Sequence, residues 1–78
     1  MNFREALKAR RIELGMSQRD LARAMEVTQT AVSQWERGET RPYYKTSAKL
    51  SKVLGVKERD LLYPQDETEE NEDNKNVP

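Results

Sequence analysis

Apolar residues recur every three to four positions along most of this chain, and Gly15, Gly38 and Gly55 each follow one such segment. Apolar spacing of this kind is typical of amphipathic helices, and glycine commonly follows the last residue of a helix. No segment alternates with the two-residue period of a strand, and no hairpin pair such as Asn-Gly occurs. The pattern therefore predicts an all-α fold.

Five helices are predicted, over residues 2–14, from Ser17 to Met25, from about Thr28 to Gly38, over residues 46–54 and over residues 58–62. Ser17 and Asp20 have the S-x-x-D pattern that marks a helix N-terminus. Only Glu26 and Val27 join the second and third helices. Because so short a link makes two helices cross steeply, this pair is predicted to be a helix-turn-helix.

The net charge of zero conceals two unlike parts of the chain. Residues 65–78 carry six acidic residues and one lysine, a net charge of −5, whereas residues 1–64 carry thirteen Lys and Arg against eight Asp and Glu, a net charge of +5. The acidic part has too few apolar residues to form a core. We therefore expect a basic compact domain over residues 1–64, which could bind a polyanion, and a disordered acidic tail over residues 65–78.

Several functional classes are disfavoured by composition. The chain has no cysteine and no histidine, so disulfides, a zinc site and histidine-based catalysis are not expected. Enzymatic activity, a cofactor and a metal are therefore not predicted. No apolar run reaches the length of a membrane span, and the N-terminal residues lack the apolar stretch of a signal peptide. A soluble protein in a reducing, cytoplasmic compartment is the expectation.

The third predicted helix has two faces. Thr28, Ala31, Val32 and Trp35 share one face, here called the inward stripe, and are expected to pack on the first two helices. The opposite face, here called the outward stripe, consists of Thr30, Ser33, Gln34 and Arg37, with Gln29 at its N-terminal end. Such a polar face is often simply solvated. This face is nearly free of acid and lies on the second helix of the predicted helix-turn-helix, in a basic domain. These features favour DNA binding over simple solvation.

The outward stripe carries the side chains that read base edges. Glutamine can bond N6 and N7 of adenine, and threonine can contact the methyl group of thymine in the major groove. Gln29, Thr30, Ser33 and Gln34 are therefore predicted to contact bases. Helix N-termini, cationic side chains and phenols commonly bind phosphates. The predicted DNA-backbone contacts are Gln18, Arg19, Thr28, Arg37, Arg41, Tyr43, Tyr44 and Lys45. Of these, Arg37 at the far end of the stripe is placed for phosphate or for a guanine edge.

The stretch MSQRDLARAMEVTQTAVSQWERGETRP, residues 16–42, resembles the helix-turn-helix of Cro/cI-type repressors, also called xenobiotic-response-element-like proteins. The matching positions are Gly15, Ser17-Gln18, Leu21-Ala22, Val27-Thr28, Val32-Ser33, Glu36-x-Gly38, Pro42, Leu50, Leu54-Gly55-Val56 and Leu61-Leu62. The resemblance covers about residues 3–63. It implies a five-helix, lambda-repressor-like domain that binds double-stranded DNA as a homodimer on a two-fold-related operator, in a bacterium or phage.

The resemblance also implies roles for individual residues. Gln18 would bind phosphate, whereas Gln29, Thr30 and Gln34 would read bases. Residues near Arg41 and Tyr43 would hold the DNA backbone. The function implied is that of a transcriptional repressor or regulator that occludes its operator. An antitoxin-like or antirepressor module, which uses the same fold to bind protein, is the alternative.

Three further predictions concern the framework. Arg11 and Glu36 are expected to form a partly buried ion pair between the first and third helices, and members of the family pair the same positions. Glu26 stands where the family very often has glycine, so either the turn tolerates a left-handed glutamate or its conformation differs. Lys57 replaces the usual serine or aspartate cap before the fifth helix.

The surface outside the third helix yields two hypotheses. Val56, Leu61 and Tyr63 are predicted to form a dimer contact, because the end of the domain is more apolar than a monomer needs. The acidic tail is expected to be a solvated, disordered end. The alternative hypothesis is that it competes with DNA for the basic face and weakens non-specific binding.

Overall fold

The computed structural model describes residues 2–64, and the predicted acidic tail lies outside the described residues. Five helices follow one another: α1 (Phe3–Glu13), α2 (Gln18–Met25), α3 (Gln29–Arg37), α4 (Tyr44–Leu54) and α5 (Glu58–Leu62). Within residues 2–64 no strand occurs, so the predicted all-α, five-helix class is confirmed. None of the helices described has the length and apolarity that a membrane span requires.

A side-chain cap is present at the N-terminus of each of the first three helices. Asn2 and Ser17 each form a capping box, with Glu5 and Asp20 respectively, which pairs N–H groups at the helix N-terminus. The Ser17 backbone N–H donates to Asp20 Oδ2 at 2.9 Å. This bond has the largest effect and the Ser17 side chain the next largest, and together they hold the pKa of Asp20 below its usual value of 3.8. The hydroxyl of Thr28 caps α3 by accepting from the Ala31 N–H at 3.1 Å.

Helix α4 differs from the sequence prediction. It begins at Tyr44, two residues before the expected start at Thr46, and Tyr43 occupies the cap position without a side-chain hydrogen bond. No capping residue marks this start in the sequence. Lys57 also provides no side-chain cap for α5, yet α5 forms over the expected residues.

One core lies among all five helices. Its fully buried members come from every helix and include Leu7, Leu21, Val32, Leu54 and Leu61. Trp35 is also buried, as predicted for the inward stripe. Thr28 is exposed, which corrects its predicted inward position, because its side chain turns back to cap α3. Leu14, predicted as the last residue of the first helix, is 42% exposed because it lies beyond the last turn of α1.

The turn between α2 and α3 contains a left-handed glutamate. Glu26 has φ 62° and ψ 41°, so the turn adopts the conformation for which glycine is usual. The Val27 N–H donates to the Ala22 carbonyl at 3.0 Å, which closes the end of α2 in the ordinary way. Of the two alternatives for Glu26, the structure therefore favours a turn of unchanged shape that tolerates the glutamate.

Candidate nucleic-acid interface

Helix α3 is anchored by its inward stripe and leaves its outward stripe accessible. Val32 and Trp35 are buried, whereas Gln29 and Thr30 are exposed and lie in the first turn of the helix. Ser33 is half-buried. Gln29, Thr30 and Ser33, three of the four side chains expected to read bases, therefore lie on the side of α3 that faces away from the core.

An open groove of about 300 Å³ runs along this side of α3, lined by Gln18, Gln29, Thr30, Ser33 and Arg37. The groove brings together three predicted base contacts and two predicted backbone contacts. All five side chains carry hydrogen-bonding groups, and none of them is an acid. Gln34, the fourth predicted base contact, is half-buried and does not line this groove.

A buried charge network joins α1, α2 and α3 behind the groove. Arg11 Nε donates to Glu36 Oε2 at 2.6 Å and Arg11 Nη2 donates to Glu36 Oε1 at 3.1 Å, so the predicted ion pair is present and bidentate. Gln18 Nε2 donates to the same Glu36 Oε1 at 3.0 Å, and Arg11 Nη1 donates to the Met16 carbonyl at 2.8 Å. The network therefore ties a groove residue, Gln18, to the core.

The predicted backbone contacts after α3 occupy different settings. Tyr43 and Tyr44 are 87% and 80% exposed, and with Lys45 they lie at the start of α4 rather than in a loop. Arg41 instead stacks on the chain itself, with its guanidinium carbon 4.6 Å from the centre of the Phe3 ring. Arg19 is exposed in the first turn of α2, beside the groove residue Gln18.

A helix-turn-helix family model matches residues 7–61, which include all five helices in whole or in part. The chain belongs to the Cro/cI-type helix-turn-helix family. The predicted family resemblance is thereby confirmed.

Curated and solved relatives agree with this membership. A 50-residue stretch, 64% of this chain, is 46% identical to the HTH-type transcriptional regulator DicA of Escherichia coli (strain K12). This stretch covers 37% of the length of DicA, so the comparison leaves most of that protein unmatched.

Two solved structures of the P22 c2 repressor match the fold. In complex with a synthetic operator, that repressor has a TM-score of 0.80 and 35% identity, over 83% of this chain and 98% of the repressor chain. Its DNA-binding domain in solution has a TM-score of 0.75 and 36% identity, over 78% of this chain and 80% of that one. A transcriptional regulator from Listeria innocua, 24% identical with a TM-score of 0.74, matches in fold.

Two charged residues that contact the end of α3, Glu39 and Arg4 of α1, were not singled out from the sequence. Glu39 accepts from Arg37 Nε at 2.8 Å and from Nη2 at 3.1 Å, and these bonds hold the pKa of Glu39 below its usual 4.5. Arg4 Nη1 donates to the Arg37 carbonyl at 3.2 Å. The family pattern does not point to either contact, because both depend on how the chain turns at Gly38.

The end of the domain in this Cro/cI-type chain offers fewer dimer contacts than predicted. Leu61 is 2% exposed and packs in the core, so its side chain is not available to a second subunit. Helix α5 turns Leu61 inward, which closes the core against α1 and α4. Tyr63 is 73% exposed and Val56 is half-buried, and these two remain candidates for a subunit contact.

Proposed function

We propose that this chain is a sequence-specific double-stranded DNA-binding protein that acts as a small bacterial or phage repressor or regulator by occluding its operator. The observation that carries the proposal is the groove along α3, lined by amides, hydroxyls and one guanidinium on a helix held firmly from behind. A major groove admits one α-helix, and residues in the first turn of such a helix approach the base edges most closely. The similarity to the P22 c2 repressor, solved in complex with a synthetic operator, supports the binding of DNA by this chain.

Gln29 and Gln34 are proposed to read bases, together with Thr30 and Ser33. Duplexes selected from a random pool identify the preferred site. On that site, Gln29→Ala should cost about 1–3 kcal/mol of binding free energy, with little effect on random DNA, because a lost bidentate contact matters only where the matching base is present. Equal losses on both kinds of duplex would remove the base-reading role.

The backbone contacts are proposed to be independent of sequence. Arg19→Gln should weaken binding to selected and random duplexes alike, and should flatten the log–log salt dependence by about one, because one fewer phosphate is neutralised. Arg59→Gln, an equal change of charge at an exposed position on α5, provides the matched control. If the protein retards no duplex in a gel-shift assay at any salt concentration, the protein-interaction alternative is favoured.

A homodimer on two-fold-related half-sites is proposed, with Val56 and Tyr63 at the contact. Both lie near α5, and Tyr63 is among the most exposed large apolar residues described. In sedimentation equilibrium with operator present, Tyr63→Asp should lower the dimer fraction, whereas Ile12→Asp, at an apolar position 57% exposed on α1, should not. Equal behaviour of the two variants would remove this contact surface.

The proposal also covers the location of the protein and the role of residues 65–78. A DNA-binding regulator of this kind would act in the cytoplasm, associated with the nucleoid. Residues 65–78, with their net charge of −5, are proposed to compete with phosphate for the basic domain. Their deletion should tighten binding to random duplexes at low salt, and an unchanged affinity would leave them without this role.

A further inference from the structure

Arg37, the last residue of α3, is engaged on both edges of its guanidinium group. Its Nε and Nη2 atoms donate to the two carboxylate oxygens of Glu39 at 2.8 and 3.1 Å. Its Nη1 atom donates to the hydroxyl of Ser33, one turn back along the outward stripe. A cation that lines the proposed DNA groove is therefore already paired with an acid in the free protein.

The backbone places Glu39 at this position. Gly38 has φ 77°, a left-handed conformation that reverses the chain at the end of α3. The Glu39 N–H then donates to the Gln34 carbonyl at 2.9 Å, which fixes the start of the Glu39 side chain beside Arg37. A β-carbon at position 38 would also lie 3.0 Å from Arg4 Nη1. Helix termination and the pairing of Arg37 are thus produced by the same turn.

The pair adds little to stability, so its location calls for another role. The two side chains are 54% and 51% exposed, and ion pairs at such positions contribute little net free energy. A bidentate carboxylate occupies the edge of a guanidinium group that phosphate would otherwise bind. A fixed negative charge beside the groove also repels a polyanion. Glu39 therefore weakens the binding of DNA of any sequence, except where contacts to particular bases compensate for the lost phosphate contact.

We propose that Glu39 is a specificity-determining positioning residue: it holds Arg37 against Ser33 and withholds its guanidinium group from phosphate. Arg37 then contributes to binding where its remaining N–H groups meet acceptor atoms of a base edge. Discrimination between sequences increases because affinity for the wrong sequence is lowered more than affinity for the right one. The inference rests on the proposed function, since it assigns a role within the same DNA groove.

The test compares Glu39→Gln with Glu13→Gln, on a selected duplex and on random duplexes over a series of salt concentrations. Glu13 is a matched control, because its carboxylate pairs with Arg10 on the surface at 3.1 Å but lies at the end of α1. In the Glu39→Gln protein, release of Arg37 to phosphate should steepen the log–log salt slope on random DNA by about one, which is roughly a 4-fold larger affinity ratio between 50 and 200 mM salt. The preference for the selected duplex should fall several-fold.

A second comparison separates positioning from general repulsion. The effect of Glu39→Gln on random DNA should be present with arginine at position 37 and absent in the Arg37→Gln background. A general field of the carboxylate would act equally in both backgrounds, and that outcome overturns the proposal. Equal effects of Glu39→Gln and Glu13→Gln overturn it as well.

The outcome for the wild-type protein distinguishes the two levels of the argument. If the wild-type protein prefers the selected duplex and Glu39→Gln keeps the same preference, the role of Glu39 is refuted and the proposed function stands. A wild-type protein with no preference among duplexes refutes the proposed function, and the role of Glu39 with it. Thermal unfolding of each variant, expected to match the wild type because both side chains are at the surface, verifies that the proteins compared are folded.

Discussion

Replacement of Glu36 by glutamine tests how α3 is held in place. The side chains of Arg11 and Glu36 are 10% and 4% exposed, and Glu36 accepts three hydrogen bonds, two from Arg11 and one from Gln18. Glu36→Gln preserves the volume but leaves the Arg11 guanidinium group buried without a counter-charge. Loss of one partner of such a pair costs about 3–5 kcal/mol of unfolding free energy.

The magnitude comes from the isolated partner and not from the pair itself. Removal of both charges, as in the double variant Arg11→Met and Glu36→Leu, should therefore recover most of the loss, because apolar side chains of similar volume avoid the desolvation cost. Gln18, which is half-buried, then bonds to water instead of Glu36. The single variant should thus be markedly less stable than the double variant.

Urea unfolding followed by tryptophan fluorescence provides the assay, because Trp35 is the only tryptophan of the chain and is buried against the core. Glu13→Gln serves as the control, since its pair with Arg10 is at the surface and should change the unfolding free energy by less than about 1 kcal/mol. A loss below about 1 kcal/mol for Glu36→Gln, or a double variant as unstable as the single, would refute the reasoning.

Four other predictions follow from single contacts. Glu26→Gly should stabilise the domain by about 0.5–1 kcal/mol in urea unfolding, because relief of left-handed strain exceeds the entropy lost by glycine. Arg10→Ala should cost about 1 kcal/mol in the same assay, because Arg10 Nε donates to the Leu54 carbonyl at the end of α4 at 2.8 Å. The pKa of Asp20 is lowered by its capping hydrogen bonds, so ionised Asp20 stabilises the fold above pH 3.8 and this stabilisation is lost as the pH falls through the lower pKa of the folded state. In thermal unfolding across the acid range, the melting temperature of Asp20→Asn should therefore fall less than that of the wild type. Gln18→Ala should weaken binding to all duplexes equally without a change of salt slope, because a neutral amide releases no counterion; a flatter slope in salt titrations would contradict this assignment.

Spacing and local chemistry predict most of the fold. The inward stripe of α3 and the caps at Ser17 and Thr28 follow from residues within one or two turns of each other, which is the range that a sequence pattern reveals. The pair between Arg11 and Glu36 was also expected, because Arg11 has the spacing of the apolar residues of the first helix and Glu36 borders the inward stripe of the third.

The remaining features depend on contacts that no local pattern specifies. The start of α4 at Tyr44 has no capping side chain to mark it. Helix α5 has five residues, which are too few to reveal a period, so the inward direction of Leu61 was not evident. The contact between Glu39 and Arg37 arises from the reversal of the chain at Gly38, after the helix that the periodicity describes has ended.

The two carboxylates at the end of α3 illustrate how the same group takes opposite roles through burial. Glu36 is enclosed with Arg11 and fixes the helix from behind, so its charge is neutralised by a partner that DNA does not reach. Glu39 is half-exposed beside the groove, so its charge acts on whatever approaches and on the guanidinium group that it holds. Screening by salt is weak for the first carboxylate and strong for the second. Stability contributed by Glu36 should therefore change little with ionic strength, whereas discrimination contributed by Glu39 should decline as salt rises.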